Sequence, residues 1–272
     1  MPELPEVQTI VDGIEPYLLK KKIISCNVYV KKLRWKLQND LCEKLTGLKI
    51  SNVSRRAKYI IISGEKFYLT IHLGMTGTLR IAKKNDSRKK HDHFEIYLSK
   101  NLILRFNDPR KFGMIFYSND SPLKSNRLLI NLGPEPLKKE FNCEYLYSIS
   151  RNRNVSIKSL LMNAKVVVGI GNIYASEALF ISKVKPQKIS KRLSKENCKN
   201  IVSSVKKVLK KAIKKGGSTI NDYINVDGKK GYFQYDFKVY GRANLPCHIC
   251  QNSISQIKIN QRSSFYCKKC QK

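Results

Sequence analysis

Between Leu4 and Leu19 the apolar residues Val7, Ile10, Val11, Ile14 and Leu18 recur every three or four positions. That spacing predicts an amphipathic helix with one face against a core. From Ile24 the period changes to two: Ile24, Cys26, Val28 and Val30 alternate with polar residues. Further strands are predicted at 48–53, 57–63, 67–73, 78–82, 93–98, 101–106 and 112–117, punctuated by Gly or by Asn-Asp-Pro. Leu69, Ile71 and Leu73 against Thr70, His72 and Gly74 show the alternation most clearly. One helix and about eight strands predict an antiparallel β-sandwich with the N-terminal helix laid along it.

The segment Asn131-Leu-Gly-Pro-Glu-Pro136 has the composition of a hinge, and beyond it the pattern turns helical. Helices are predicted at 156–166 and 173–182, on either side of Gly169-Ile-Gly171-Asn172, and at 194–215. The last is N-capped by Ser194, striped by Ile201, Val202, Val205, Val208, Leu209, Ala212 and Ile213, and ended by Gly216. A Gly-, Asp- and Lys-rich loop follows at 216–231, the kind of exposed segment on which substrate contacts concentrate.

Composition narrows the partners. The chain has 272 residues, 42% of them hydrophobic, enough for one large domain or two ordinary ones. No apolar run approaches a membrane span and no signal-like segment opens the chain, so an intracellular protein with no membrane role is expected. The net charge of +33 attracts polyanions, nucleic acid before anionic membrane. Thirteen of the 53 basic residues are Arg, and an AT-rich genome would enrich Lys regardless of function, so the charge only supports the motifs. Cys26, Cys42, Cys143 and Cys198 are scattered and are expected as reduced, half-buried thiols.

The other four cysteines are organised. Cys247-His-Ile-Cys250 and Cys267-Lys-Lys-Cys270 are separated by sixteen residues. This spacing places each pair on a tight turn and joins the turns by a hairpin, a four-thiolate site for one structural zinc ion, with a pair of disulfides as the alternative. His248 is then a spacer, and Arg262 sits on the hairpin. At the other end, removal of Met1 would expose Pro2 as a secondary amine. An α-amino group titrates near neutrality, so part of it is a free nucleophile able to form an iminium. Glu3 beside it can carry a proton. The alternative is that Pro5 and the acids of this stretch merely start a helix.

Three further motifs have a chemical and an ordinary reading. Gly169-Ile-Gly171-Asn172 offers backbone amides, with Asn172 as cap and ligand, to a phosphate, or is a bare turn between helices. In Asn107-Asp-Pro-Arg-Lys-Phe-Gly113, Phe112 suits a wedge in a base stack and Arg110 a hydrogen bond to an exposed base edge. Met75 is a second wedge, and turn chemistry with core packing is the alternative. His91-Asp92-His93 offers two imidazoles without an evident third metal ligand, so polar or phosphate contact is expected of it. Lys58 and Lys158 could each be solvated surface lysines.

Taken together, these residues resemble the bacterial formamidopyrimidine-DNA glycosylases, also called 8-oxoguanine DNA glycosylases. The likeness runs nearly end to end: PELPEV at 2–7, RRAKY at 55–59, HLGM at 72–75, DPRKFG at 108–113, LGPEPL at 132–137, VVGIGNIYASEALF at 167–180, GYF at 231–233, VYGR at 239–242 and QRSSFYCKKCQK at 261–272. The resemblance implies an α+β multidomain fold: an antiparallel β-sandwich with an N-terminal helix, a helix–two-turn–helix domain, and a C-terminal zinc-finger β-hairpin. The implied divisions are 1–133, a linker and start of the helical domain at 134–150, 151–236 with a lesion-capping loop at 216–231, and 237–272.

The implied function is a bifunctional DNA glycosylase and abasic-site lyase of base excision repair, acting as a cytoplasmic monomer on duplex DNA that carries oxidised purines or abasic sites. A catalytically silent DNA-binding paralogue and an oxidised-pyrimidine glycosylase of the endonuclease VIII type are the alternatives. By the resemblance, Pro2 is the nucleophile, Glu3 the acid that assists sugar-ring opening, Lys58 the proton donor for β-elimination, and Arg262 serves δ-elimination. His72, Met75, His91, Arg110, Phe112, Arg153, Lys158 and Asn172 match DNA-contacting positions. Cys247, Cys250, Cys267 and Cys270 match the zinc ligands. The chain departs from the family's usual residues at Gln8, Lys111, Asn163-Ala164 and Lys230.

Overall fold

The computed structural model describes residues 2–218 and 232–272. The chain divides into two compact units, Met1–Ile130 with Gly216–Tyr232, and Asn131–Lys215 with Phe233–Lys272. The four-part division proposed from sequence is finer than this.

The first unit opens with helix α1 (Leu4–Leu18). Glu3 is its N-cap, and the Glu6 carboxylate accepts the Glu3 N–H at 2.9 Å, one arm of a capping box. Pro5 falls in the first turn, where a missing N–H costs nothing. The five stripe residues are all buried. Strand β1 (Ile23–Val28), helix α2 (Leu41–Leu45) and strands β2 (Asn52–Arg56), β3 (Tyr59–Gly64), β4 (Phe67–His72), β5 (Thr78–Lys83), β6 (Asp92–Leu98), β7 (Leu102–Asn107) and β8 (Met114–Ser118) follow. Two short helices, α3 (Pro122–Ser125) and α4 (Arg127–Ile130), end this part of the chain. The strands form two antiparallel four-stranded sheets, in the orders β1-β6-β7-β5 and β2-β3-β4-β8. Helix α1 packs on β2 and β3 of one sheet and on β5 of the other, closing a single core.

Three sequence expectations are corrected here. Ile24 is 53% exposed, because a bulge between Ile23 and Ser25 shifts the register, so Ile23 and Cys26 face inward. Residues 48–50 bond to residues 20–23 as an extended connection, and the strand begins only at Asn52. Cys26 and Cys42 are not reduced thiols: β1 and α2 bring their Cα atoms to 5.0 Å, and they form a disulfide. Cys143 and Cys198 are free.

The second unit comprises α5 (Cys143–Arg151), α6 (Ile157–Leu161), α7 (Asn172–Ile181), α8 (Lys195–Lys214) and a hairpin of β9 (Ile254–Ile259) and β10 (Arg262–Cys267). Ser194 caps α8 by accepting from Asn197 N–H. Helix α6 stops at Leu161, short of the expected 166. Helix α5, capped by Asn142, begins within the segment expected to be linker and start of the helical domain and runs one residue beyond it. The hairpin turn is Asn260-Gln261, both at positive φ (47° and 61°), as a two-residue turn matched to strand twist requires. Phe180 of α7 packs with Val239, Ile254 and Phe265 beneath the hairpin.

Candidate active site and nucleic-acid interface

Pro2 and Glu3 are buried at the head of α1. The carboxylate that holds Glu3 N–H also reaches forward in the chain: Glu6 Oε1 accepts from Ser218 N–H (2.7 Å) and from its hydroxyl (3.0 Å). Gly217 has φ +79°, where a side chain is strained, and a Cβ there would also crowd Glu6 Cγ at 3.0 Å. The start of the predicted capping loop is therefore seated on α1, one turn from Glu3. Local sequence offers Glu6 only as a helix-dipole partner and carries no sign of this junction, since its two halves are 212 residues apart. Residues 219–231, which make up most of that loop, and Met1 lie outside the described residues.

Lys58 occupies the two-residue turn Ala57-Lys58 between β2 and β3, with Ala57 at φ +55°. Arg55 fastens this turn to α1: its Nη1 donates to Ala57 O (2.7 Å) and its Nε to Gln8 Oε1 (2.8 Å). The Gln8 amide oxygen is a neutral acceptor in this tether. The charges of Lys58 and Arg34 both act on His72. Burial above all, then those two cations, pulls the His72 pKa down to about 4. Its Nδ1 accepts from Gly74 N–H at 3.0 Å, so the neutral ring carries its proton on Nε2. His72 thus presents a neutral donor, not a cation. Arg34 was not singled out in the sequence; no motif marks it, and its backbone N–H donates to Gly113 O at 3.0 Å.

The two expected wedges, Met75 and Phe112, and Arg110 come together on neighbouring turns. Asp108 is fully buried, its carboxylate accepting from Thr76 Oγ (2.6 Å) and Gly113 N–H (2.7 Å). That clamp forces residues 109–112 outward, with Lys111 at φ +55°. Phe112 is 41% exposed and Met75 42%, and the Arg110 guanidinium stacks 4.8 Å from the centre of the Phe112 ring. Large apolar side chains this exposed, on two clamped turns, are not core packing. His91 and His93 lie edge to face at 6.1 Å, and His93 Nε2 bonds to Asp108 O at 3.0 Å. Among the described residues no third ligand completes a metal group with them.

In the second unit, Arg153 and Arg262 are exposed and line one hollow of about 420 Å³ with Asn163 and Asn260. Lys158 lies in its wall and is not a solvated lysine. It is 1% exposed, and its ammonium donates to Ser264 Oγ (2.7 Å) and Ser263 O (3.2 Å) on β10. Asn172 Nδ2 donates to the same Ser263 carbonyl at 3.0 Å. Two helices thus grip the residue after Arg262. Asn172 is the first helical residue of α7 and Gly171 the cap, which corrects the expected cap role.

The hairpin brings all four Sγ atoms of Cys247, Cys250, Cys267 and Cys270 within 4.8 Å of one another. Cys247–Cys270 and Cys250–Cys267 are 3.9 and 3.4 Å apart. A tetrahedron with zinc–sulfur bonds of ~2.3 Å has edges of ~3.8 Å, so the cluster fits zinc. Two anchors absent from the sequence reading fix it to the helices. Glu177 is 2% exposed and accepts from the N–H groups of Lys238, Val239 and Tyr240. Gln271 bonds to Cys267 N–H and to Val184 O.

This architecture agrees with the comparisons. Three family models match in order: the formamidopyrimidine-DNA glycosylase N-terminal domain at residues 1–115, its H2TH domain at 132–223, and a zinc finger found in FPG and IleRS at 244–272. The formamidopyrimidine-DNA glycosylase of Legionella pneumophila (strain Lens) is 45% identical, covering 100% of this chain and 98% of that protein. That of Haemophilus influenzae (strain PittEE) is 46% identical over 100% and 99%. Lactococcus lactis Fpg in complex with abasic-site DNA superposes with TM-score 0.91 at 33% identity, and a mutant of it with Fapy-dG-containing DNA with TM-score 0.92, each covering 99% of both chains. The chain belongs to the formamidopyrimidine-DNA glycosylase family. Its cysteine cluster is the structural zinc site of that family's finger.

Proposed function

We propose that the protein is a DNA glycosylase with abasic-site lyase activity, acting on duplex DNA that carries oxidised purines, formamidopyrimidines or 8-oxoguanine. The observation that carries this reading is the head of α1. Pro2 and Glu3 are buried there, in the same unit as the tethered Lys58 turn, the Met75 and Phe112 wedges and Arg110. Once Met1 is removed, the Pro2 nitrogen attacks C1′ of the everted nucleoside, the base leaves, and Glu3 protonates the opening sugar ring. The resulting iminium acidifies the C2′ proton. Its removal expels the 3′ phosphate (β-elimination), with Lys58 moving the proton, and a second elimination releases the 5′ phosphate. Guanidinium does not deprotonate in proteins, so Arg262 clamps the departing phosphate and does not donate a proton. Zinc orders the hairpin and takes no part in these steps.

Borohydride tests this. It must reduce the iminium and fix the protein to a lesion-containing strand, with the adduct on the peptide that begins at Pro2. Glu3→Gln, which keeps an acceptor for the helix cap, should impair base excision more than cleavage of a preformed abasic site. A processed, zinc-loaded protein that binds an 8-oxoguanine duplex and yields no adduct would be the silent paralogue instead.

A further inference from the structure

We propose a second binding site, for an acidic peptide segment carrying an aromatic or branched aliphatic side chain, in the hollow bounded by the C-terminal end of α7, by α8 and by the cysteine turns. This hollow has a volume of about 710 Å³. Its floor is apolar, made by Phe180, Val208 and Phe233, each 3% exposed, and at its lip Ile181 and Ile249 are left 38% and 69% exposed. Around it stand Lys183, Lys207, Lys211, Lys238, Lys269 and Lys272, all exposed. Lysine is forty of the 272 residues but six of the fifteen lining this hollow, so composition alone does not place them there.

The acids at the site are already engaged. Glu177 accepts from three backbone N–H groups, and Asp236 is paired with Lys211 at 3.5 Å and with Lys215. A ligand therefore meets a cationic rim over an apolar floor. A bare phosphate backbone would leave Ile181 and Ile249 wet, whereas carboxylates flanking a Phe, Leu or Ile satisfy both features. Position argues the same way. Asn172, the expected phosphate ligand, begins α7, and Ile181 ends it nine residues later, ~13 Å away along the helix axis. The hollow is large enough for two or three side chains, not for a folded domain.

The test uses the full-length, zinc-loaded protein and a fluorescein-labelled octapeptide pool. Six positions are Asp or Glu and two are Phe, Leu, Ile or Trp. Anisotropy should show saturable binding that weakens at least tenfold with Ile249→Glu and with Lys207→Glu. Replacing the acids by Asn and Gln, or the two apolar positions by Ser, should weaken it as much. Both variants should excise lesions from duplex DNA at the unaltered rate. Absence of saturable binding at millimolar pool overturns the proposal, as does binding indifferent to either variant or to either analogue. Displacement by an eight-nucleotide single strand as effective as by unlabelled peptide would assign the hollow to nucleic acid. Peptide binding needs no catalysis, so failure of the glycosylase reading leaves this outcome unaffected.

Discussion

Gly74 lies so close to Phe112 that a Cβ at position 74 would fall 2.4 Å from the Phe112 carbonyl carbon. The turns that carry Met75 and Phe112 therefore touch backbone to backbone, and Gly74 has φ +65°, where a side chain is strained whatever the space. Gly74→Ala should push the two turns apart at a cost of ~1–3 kcal/mol. Lesion-duplex affinity is expected to fall tenfold or more, while non-specific duplex affinity changes little. Met75→Ala, at a half-exposed side chain, should weaken lesion binding without lowering the thermal midpoint. Equal losses on lesion and undamaged duplexes for both variants would remove the wedge assignment.

Arg110 stacks on Phe112 at the end of the turn that Asp108 clamps, and under the proposed function its guanidinium enters the gap that an everted base leaves. It is expected to hydrogen-bond the orphaned partner base. Arg110→Ala should lose discrimination between cytosine and adenine opposite the lesion, in addition to ~1–3 kcal/mol of affinity. An identical loss on the two duplexes, measured by competition binding, would make Arg110 an ordinary backbone contact.

How far the sequence reached depends on the range of the interaction. The α1 stripe, the hairpin and the four-cysteine cluster were legible because each is encoded by spacing within about twenty residues. The Glu6–Ser218 and Lys158–Ser264 bonds were not, because no local pattern names a partner that only the fold brings near. The Cys26–Cys42 disulfide spans only sixteen residues, but two single cysteines carry no paired spacing of the kind that marks the zinc cluster. The bulge after Ile23 misled the alternation for a related reason: one extra residue inverts the facing of those before it. Arg34 was missed because its relevance lies in its field at His72, which leaves no mark on the chain.

His72 gives a pH dependence of known sign. Its pKa falls from 6.5 in the unfolded chain to about 4 in the fold, so between these values the unfolded state binds more protons. Stability from this group is complete above about pH 6.5 and is lost as pH falls toward 4, by at most ~3 kcal/mol. His72→Gln, which cannot titrate, should flatten that part of the stability profile relative to wild type. Denaturant titrations of both proteins at pH 7.5, 6, 5 and 4.5 measure the difference, and parallel profiles would contradict the burial argument.

Zinc removal should act on binding through Arg262. The hairpin has a small apolar seat, Phe180, Val239, Ile254 and Phe265, and the four thiolates hold its two cysteine turns together. Without metal those turns carry close thiolates that repel or must protonate, and a unit this small cannot stay ordered on its core alone. Lys158 and Asn172 would then lose Ser263, the carbonyl that fixes the start of β10 and with it Arg262. Chelation, or Cys250→Ser, is therefore expected to abolish lesion binding, while the two four-stranded sheets, whose core lies in the other unit, keep their unfolding midpoint. Lys158→Met separates the parts: zinc stays bound, but Ser264 Oγ and Ser263 O lose a buried donor, at a cost of ~1–3 kcal/mol. It should raise amide exchange in β10 and weaken lesion binding to a lesser degree than metal loss. Full lesion affinity in metal-free protein, or unchanged exchange in Lys158→Met, would show that the hairpin does not position Arg262.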